Sequence, residues 1–495
     1  MNRIFTIIKK DKIYYLLISL ILLFGIIIRI KAFLIERSLW HDECSLAINI
    51  LHKNVFQFLG PLEHFQCAPP IFMSATKLLT QIFKPNEYTF RLIPFLAGIS
   101  SLPLFFLLTT KIFKRQFTQI IATILIAINY NLIYYAQEFK QYSLDVFCTI
   151  LLTLILPQKD LINFSNKNLI LIGLLFALFP LISFPTIFVI LAYLIQQIIN
   201  YKKQIVKQLG LISIFPIISG LLIIISGLLI IIPNIVNNQN QLFLINYFET
   251  DGFLSLNPIK ILSAIKLNYN YFFYPNNFIL IGIIISIISI IYLCKSKLNQ
   301  YQNLLIGTLI ISIIASFFHI YPMYERVSLF LIPCLIFFLL IPIDKIRKSN
   351  PIKSVIILFL TFLYFCNYIP NFYKDFNVII GINRENAKNS LQFIKTNYQT
   401  NDIIVFNTAS DSEFAFYSQI LNFTSNNIKV NLQTTNQEEY NQLLNQLPKG
   451  NTYWFYYPYS LSKYPEKDLL KTWLKDKNVI ISRDFQNSLV AKVKL

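Results

Sequence analysis

Long apolar runs, broken by short polar connections, dominate the first three quarters of the chain. A bilayer core takes about 20 apolar residues per helix. Candidate spans fall at roughly 14–33, 88–110, 117–136, 143–156, 168–182, 184–200, 209–233, 277–294, 302–319, 326–343 and 353–370. The pattern predicts a polytopic α-helical membrane protein with about eleven transmembrane helices, two of them (143–156 and 168–182) short. No small-residue cleavage site follows the first span, so it reads as an anchor rather than a signal peptide. Residues 69–83, PPIFMSATKLLTQIF, are apolar but short for a span. Counting them as one would put the basic KIFKRQ connection on the wrong side. They are expected to form an interfacial or re-entrant helix opened by Pro69 and Pro70.

The periodicity changes after residue 370. A helix is predicted near 385–397, then strand 402–406, helix 411–420, strand 428–432, helix 436–446, strand 452–457, helix 465–476 and strands 478–482 and 488–494. Such alternation predicts a small α/β sandwich. The division expected is a membrane-embedded unit at 1–370, with a first outer loop at about 35–87, and an α/β domain at 371–495. No strand of the tail is followed by a Gly-rich fingerprint, so nucleotide binding is unsupported. Acceptor docking or a structural cap is the expected role.

Composition narrows the class. The chain has 495 residues, 55% hydrophobic and only 14% charged. Soluble domains carry about a quarter charged residues. Six Cys exclude a disulfide scaffold, and so much apolar surface excludes disorder. The net charge is +19. It reads as positive-inside topology rather than nucleic-acid binding, and no nucleic-acid partner is expected. Lys9, Lys10 and Lys12, then Lys111, Lys114 and Arg115, then Lys202, Lys203 and Lys207, then Lys345, Arg347 and Lys348 fall on alternate connections. The expected orientation in a plasma or inner membrane is N-terminus cytoplasmic and C-terminal domain exoplasmic. No run of acidic residues lies mid-span, as an ion-coupled transporter would need.

With charge so scarce, polar residues near the outer face carry the candidate chemistry. Trp40-His41-Asp42-Glu43 follows the first span. Two adjacent acids there also suit a plain helix N-terminus. Gln137-Glu138-Phe139-Lys140-Gln141-Tyr142 sits where the third span emerges on the same side, and an ordinary polar turn is its bland alternative. Two separated carboxyl sites suit a general base plus a metal-binding or donor-orienting group. Arg29, Arg91 and Arg326 lie near the interface. Arginine there either snorkels to headgroups or grips a phosphate. Arg29 and Arg91 also suit structural pairing with acids. Cys44 and Cys67 share the first outer loop and either pair or stay free. His41, His52, His64 and His319 lack the spacing of a zinc site.

Four stretches together resemble the GT-C membrane glycosyltransferases, specifically the bacterial family-39-like group similar to dolichyl-phosphate-mannose-protein mannosyltransferases. They are SLWHDECSLA (38–47), APPIFMSATKLLTQIFKPNEYTFRLIPFLAG (68–98), YYAQEFKQYSLDVF (134–147) and YERVSLFLIP (324–333). The resemblance covers roughly residues 14–345. It implies transfer of a monosaccharide from a polyprenyl-phosphate donor to a lipid, glycan or protein acceptor, with inversion. It implies Asp42 as catalytic base with Glu43 beside it, and matches Glu138 to the family's second catalytic acid; charge on the leaving phosphate is expected to be met by Arg326, by Lys140 or by a divalent cation (Mg or Mn) held near Glu138. Arg326, Lys140 and Arg91 are the donor-phosphate contacts expected from the resemblance. Lys140 stands where the family usually has Arg, so a cation is kept and the bidentate grip is lost. Ala68 replaces the usual His before the paired prolines. A glycan polymerase or ligase, or a flippase of lipid-linked sugars, is the alternative reading.

Overall fold

The computed structural model describes residues 2–64, 66–157, 164–201, 252–255, 257, 272, 279–345, 386–432, 434–458, 466–485 and 488–495. Spans expected at 209–233 and 353–370, and the boundary near residue 370, lie outside these residues. Helices occupy the other expected spans: α1 (Asn2–Leu34), α4 (Glu87–Ile112), α5 (Gln116–Ile128) with α6 (Tyr130–Tyr135), α7 (Tyr142–Ile155), α8 (Asn166–Ile182), α9 (Thr186–Tyr201), α10 (Ile279–Lys295), α11 (Gln300–Phe317) and α12 (Ile332–Lys345). Leu16, Leu20, Leu23, Phe24 and Ile27 on α1 are all exposed, an apolar face with lipid as its natural solvent. The chain is a polytopic helical membrane protein.

Two expected spans are interrupted, each for a local reason. The run 117–136 breaks at Asn129, whose ψ of 121° leaves the helical region and whose side chain caps α6 by accepting from Leu132 N at 3.0 Å. Buried Arg29 crosses from α1 and takes the freed carbonyls of Ala127 (2.9 Å) and Ile126 (3.2 Å). The run 326–343 starts as a 3₁₀ helix, Glu325–Leu331, before α12. Pro333 lacks the N–H that an α-helical bond to Leu329 needs.

The first loop folds into two helices. α2 (His41–His52) carries Asp42 and Glu43 in its first turn, where the helix dipole favours acids. α3 (Pro70–Phe83) starts at Pro70 and leaves Leu78, Ile82 and Phe83 exposed. α4 packs against α1, α5 and α7. The α4 backbone closely approaches the turn after α6, because a Cβ on Gly98 would lie 2.6 Å from Ala136 Cβ.

The tail forms a five-stranded sheet, β1 (Ile403–Asn407), β2 (Asn426–Val430), β3 (Thr452–Tyr457), β4 (Asn478–Phe485) and β5 (Ser488–Lys494), in the order β2-β1-β3-β5-β4. β1 pairs parallel with β2 and β3, whereas β5 pairs antiparallel with β3 and β4. Helices α13 (Ala387–Asn397), α14 (Asp411–Ile420), α15 (Gln437–Asn445) and α16 (Glu466–Leu474) complete it. In its core the buried Lys492 ammonium meets Asp402 at 2.8 Å, and Trp454 Nε1 donates to the same carboxylate at 3.0 Å.

This unit docks on the first loop. α14 packs against α2, with Ser45 Oγ donating to Ser412 Oγ at 2.8 Å. Leu39 N donates to the Tyr417 hydroxyl at 2.6 Å, and that hydroxyl donates to Glu87 Oε1 at 3.0 Å. Lys388 pairs with Glu87 at 2.8 Å.

Candidate functional site

Four polar groups from distant parts of the sequence meet where α2 begins. α2 presents Asp42, the turn between α6 and α7 presents Lys140 and Glu138, and the 3₁₀ helix before α12 presents Arg326. Arg326 Nη2 reaches Asp42 Oδ2 at 2.8 Å, and both side chains keep 23% of their surface exposed. The guanidinium lies over the Trp40 ring at 5.6 Å and the Tyr142 ring at 6.0 Å, which fixes its plane. Glu325, just before it, has φ of 35°, a left-handed conformation that a non-glycine residue adopts at a cost of about 1 kcal/mol.

The charges act on one another. Burial opposes the charge on Asp42, but Lys140, Arg326 and His41 outweigh it and hold the carboxyl below its ordinary value. Burial draws the Lys140 ammonium below the ordinary lysine value, with Asp42 opposing and Arg326 adding to the effect. Lys140 Nζ donates to Gln66 Oε1 at 2.6 Å, so the first loop holds its position.

Glu43 and Arg91 correct the sequence reading. Glu43 is wholly buried, and its Oε1 accepts from Arg91 Nε at 2.8 Å and from Phe139 N at 2.6 Å. Its Oε2 accepts from Arg91 Nη2 at 2.6 Å and from Trp40 N at 3.3 Å. Arg91 also donates to the carbonyls of Arg37 (2.5 Å) and Ser38 (3.0 Å), so four of its five N–H groups are engaged. Neither residue faces a cleft: the pair ties α4, α2 and the Lys140 turn together. A phosphate role for Arg91 and a direct catalytic role for Glu43 do not fit that saturation. Cys44 is a buried thiol and Cys67 an exposed one, both free.

Glu138 is buried too, yet neither carboxylate oxygen accepts a hydrogen bond among the described residues. Its ion partner is Arg37, whose Nη2 stands 3.8 Å away. Arg37 donates to the Gln137 carbonyl at 3.0 Å and lies over the Tyr134 ring. Sequence reading missed Arg37, although it lies five residues before Asp42. A divalent cation near Glu138 was the sequence expectation. Among the described residues no three His, Cys, Asp or Glu side chains gather as metal ligands. Arg37 and Lys140 already oppose the Glu138 charge. The residues present do not fit a resident divalent cation. With Glu43 neutralised by Arg91, the cluster of Arg37, Lys140 and Arg326 against Asp42 and Glu138 carries surplus positive charge. It suits an anion.

No family model matches the chain, and no curated protein matches it in sequence. Solved structures do match. ArnT from Cupriavidus metallidurans in the apo state aligns over 96% of this chain and 98% of its own, at 11% identity and a TM-score of 0.51. A structure of ArnT from Cupriavidus metallidurans bound to undecaprenyl phosphate aligns over 97% of both chains at 11% identity, but its TM-score of 0.46 is too low to add weight. The chain is therefore similar in fold to ArnT along nearly its whole length.

Proposed function

We propose that this protein transfers a monosaccharide from a polyprenyl-phosphate donor to an acceptor hydroxyl at the exoplasmic face of the cell membrane. The acceptor is a lipid, glycan or protein. The observation that carries the reading is the Asp42–Arg326 pair at 2.8 Å, part-exposed beside buried Lys140. One accessible carboxylate thus shares a site with two cations. The GT-C-like fold supports the class, and the residue matches at Asp42, Glu138 and Arg326 support the family-39-like subgroup.

The chemistry follows from the charges. Donor phosphate draws Arg326 from Asp42, because a guanidinium pairs with phosphate as readily as with carboxylate. Asp42 is then the ionised acceptor for the proton of the attacking hydroxyl. A carboxyl held below its ordinary value is a weak base toward a free alcohol. It suffices here, because the hydroxyl becomes strongly acidic as its oxygen bonds an oxocarbenium-like anomeric carbon. The new glycosidic bond forms as the anomeric carbon–phosphate bond breaks, so configuration inverts. Both electrons of that bond leave on the polyprenyl phosphate, whose charge Arg326 and Lys140 stabilise. Glu138 acts on this site by holding Arg37 behind the Lys140 turn.

A panel of radiolabelled polyprenyl-phosphate sugars tests the reading, offered with native lipid and glycan acceptors to membranes carrying wild type or Arg326→Gln. One sugar should move with wild type, and transfer should fall about 100-fold or more in the variant, as for loss of a charge-stabilising donor. Equal transfer by both removes Arg326 from the site. No transfer of any sugar by folded wild type contradicts the donor class.

A further inference from the structure

Several buried acids take no part in the transfer step, and one of them lies beside the site. Glu413, in the first turn of α14, is fully buried. His41 Nδ1 meets its Oε2 at 3.1 Å, and no hydrogen-bond partner reaches its Oε1 among the described residues. A carboxylate taken out of water is costly unless an opposite charge pairs with it. His41 is the partner the fold brings to it, and the contact spans 372 residues of sequence. His41 opens α2 one residue before Asp42 and keeps 39% of its side chain exposed. Nδ1 faces the tail, and among the described residues Nε2 on the opposite edge of the ring takes no hydrogen bond.

We propose that Glu413 is a positioning residue: it orients His41 and pairs with its ring, so that the C-terminal unit completes the cationic rim that takes the donor phosphate. His41 joins Lys140 and Arg326 in that rim. This rests on the reading of the site as a donor-phosphate site. The supporting geometry is the docking of α14 on α2, where the Ser45–Ser412 and Leu39–Tyr417 hydrogen bonds fix the two helices on either side of the pair.

Other charged groups around His41 come from three further places: Asp42 on its own helix, Lys140 on the turn, and His64 in the first loop. Burial works against charge on the ring, and Glu413 outweighs it, first through the hydrogen bond and then through its charge. Asp42 assists and Lys140 opposes, and the imidazole titrates above its ordinary value. The sign follows. A raised value means the charge is present at and below the ordinary histidine range, near 6.5, and is lost as pH rises through the raised value. A neutral partner at position 413 moves that loss to lower pH.

The test uses full-length protein in lipid nanodiscs and, as probe, the methyl diester of undecaprenyl phosphate, whose single charge does not titrate near neutrality. Binding is measured from pH 5.5 to 8.5 for wild type, Glu413→Gln, His41→Gln and the double variant. Imidazole titration is followed by NMR of labelled histidine, with the His41 signal assigned by its loss in His41→Gln. In wild type, affinity should weaken as His41 loses its proton. In Glu413→Gln both midpoints should fall by about one pH unit, a shift typical of losing a buried opposite charge. In His41→Gln the profile should flatten, and the double variant should bind no more weakly than His41→Gln alone.

A His41 midpoint that does not move in Glu413→Gln overturns the positioning role. So does a lower melting temperature with an unmoved binding midpoint, since that is what a docking contact alone gives. A flat binding profile in wild type removes His41 from the phosphate site. If wild type binds no diester at all, the donor reading itself fails. That failure is separate, because the His41 titration needs no ligand.

Discussion

Glu43 accepts two hydrogen bonds from Arg91 and one from the Phe139 amide, whereas Asp42 keeps part of its side chain exposed and pairs with Arg326. Successive residues on a helix point about 100° apart, so neighbours in sequence meet different surroundings. Two adjacent acids in a row of letters carry no sign of which one is buried. The presence of a carboxylate and of Arg326 at the site was legible, because charge is rare in this chain. The saturation of Arg91 was not, since it depends on the carbonyls of Arg37 and Ser38 arriving from the first loop. Arg91→Leu strands the Glu43 charge in the interior. Breaking one side of a buried pair costs about 3–5 kcal/mol. Thermal unfolding in detergent should show a large drop in Tm or loss of folded protein, with Arg91→Lys intermediate. A melting curve like wild type in Arg91→Leu means the pair does not hold the elements together.

The apolar run 117–136 reads as one span because a single Asn barely lowers its hydropathy. Its break at Asn129 depends on Arg29, about 100 positions earlier, supplying donors to the freed carbonyls. Helix existence is a local property and was legible for the described spans. Helix continuity depends on tertiary partners. Gly98 shows the same dependence. Nothing in its sequence context marks it as special, yet any Cβ there would press to 2.6 Å on Ala136. Ala136 immediately precedes the turn that carries Glu138 and Lys140. Gly98→Ala should therefore destabilise the protein by about 1–3 kcal/mol as the helix is pushed away, the usual scale of overpacking. It should also lower transfer by shifting Lys140. Unchanged stability together with unchanged transfer would show that α4 and the turn separate freely.

At the scale of the molecule, the C-terminal unit is the lesson. Its strands and helices lie within a few residues of the positions that alternation predicts: α14 at Asp411–Ile420 and β3 at Thr452–Tyr457 coincide with them, and β2 begins two residues early. Where it docks could not be read, because Tyr417, Glu413 and Lys388 are ordinary residues until α2 and Glu87 come to meet them. The docking makes the tail a cap on the first loop and places two of its side chains, Tyr417 and Glu413, within bonding reach of the residues around Asp42. The similarity to ArnT extends over 96% of this chain at 11% identity. What persists at that distance is the arrangement of helices and not the side chains. Function therefore has to be argued from Asp42, Lys140 and Arg326 themselves.

In the proposed reaction Asp42 takes the acceptor proton beside two cations, Arg326 and Lys140, that suit a phosphate. The most direct measurement is the rate of sugar transfer by wild type and Asp42→Asn, side by side at saturating donor. Folding is verified by an unchanged melting curve. Asparagine keeps the shape and removes the base. The expected result is a fall of about 100-fold or more in turnover, the scale of a lost general base. Equal turnover in the two proteins would contradict the account, because the proton would then leave by another group.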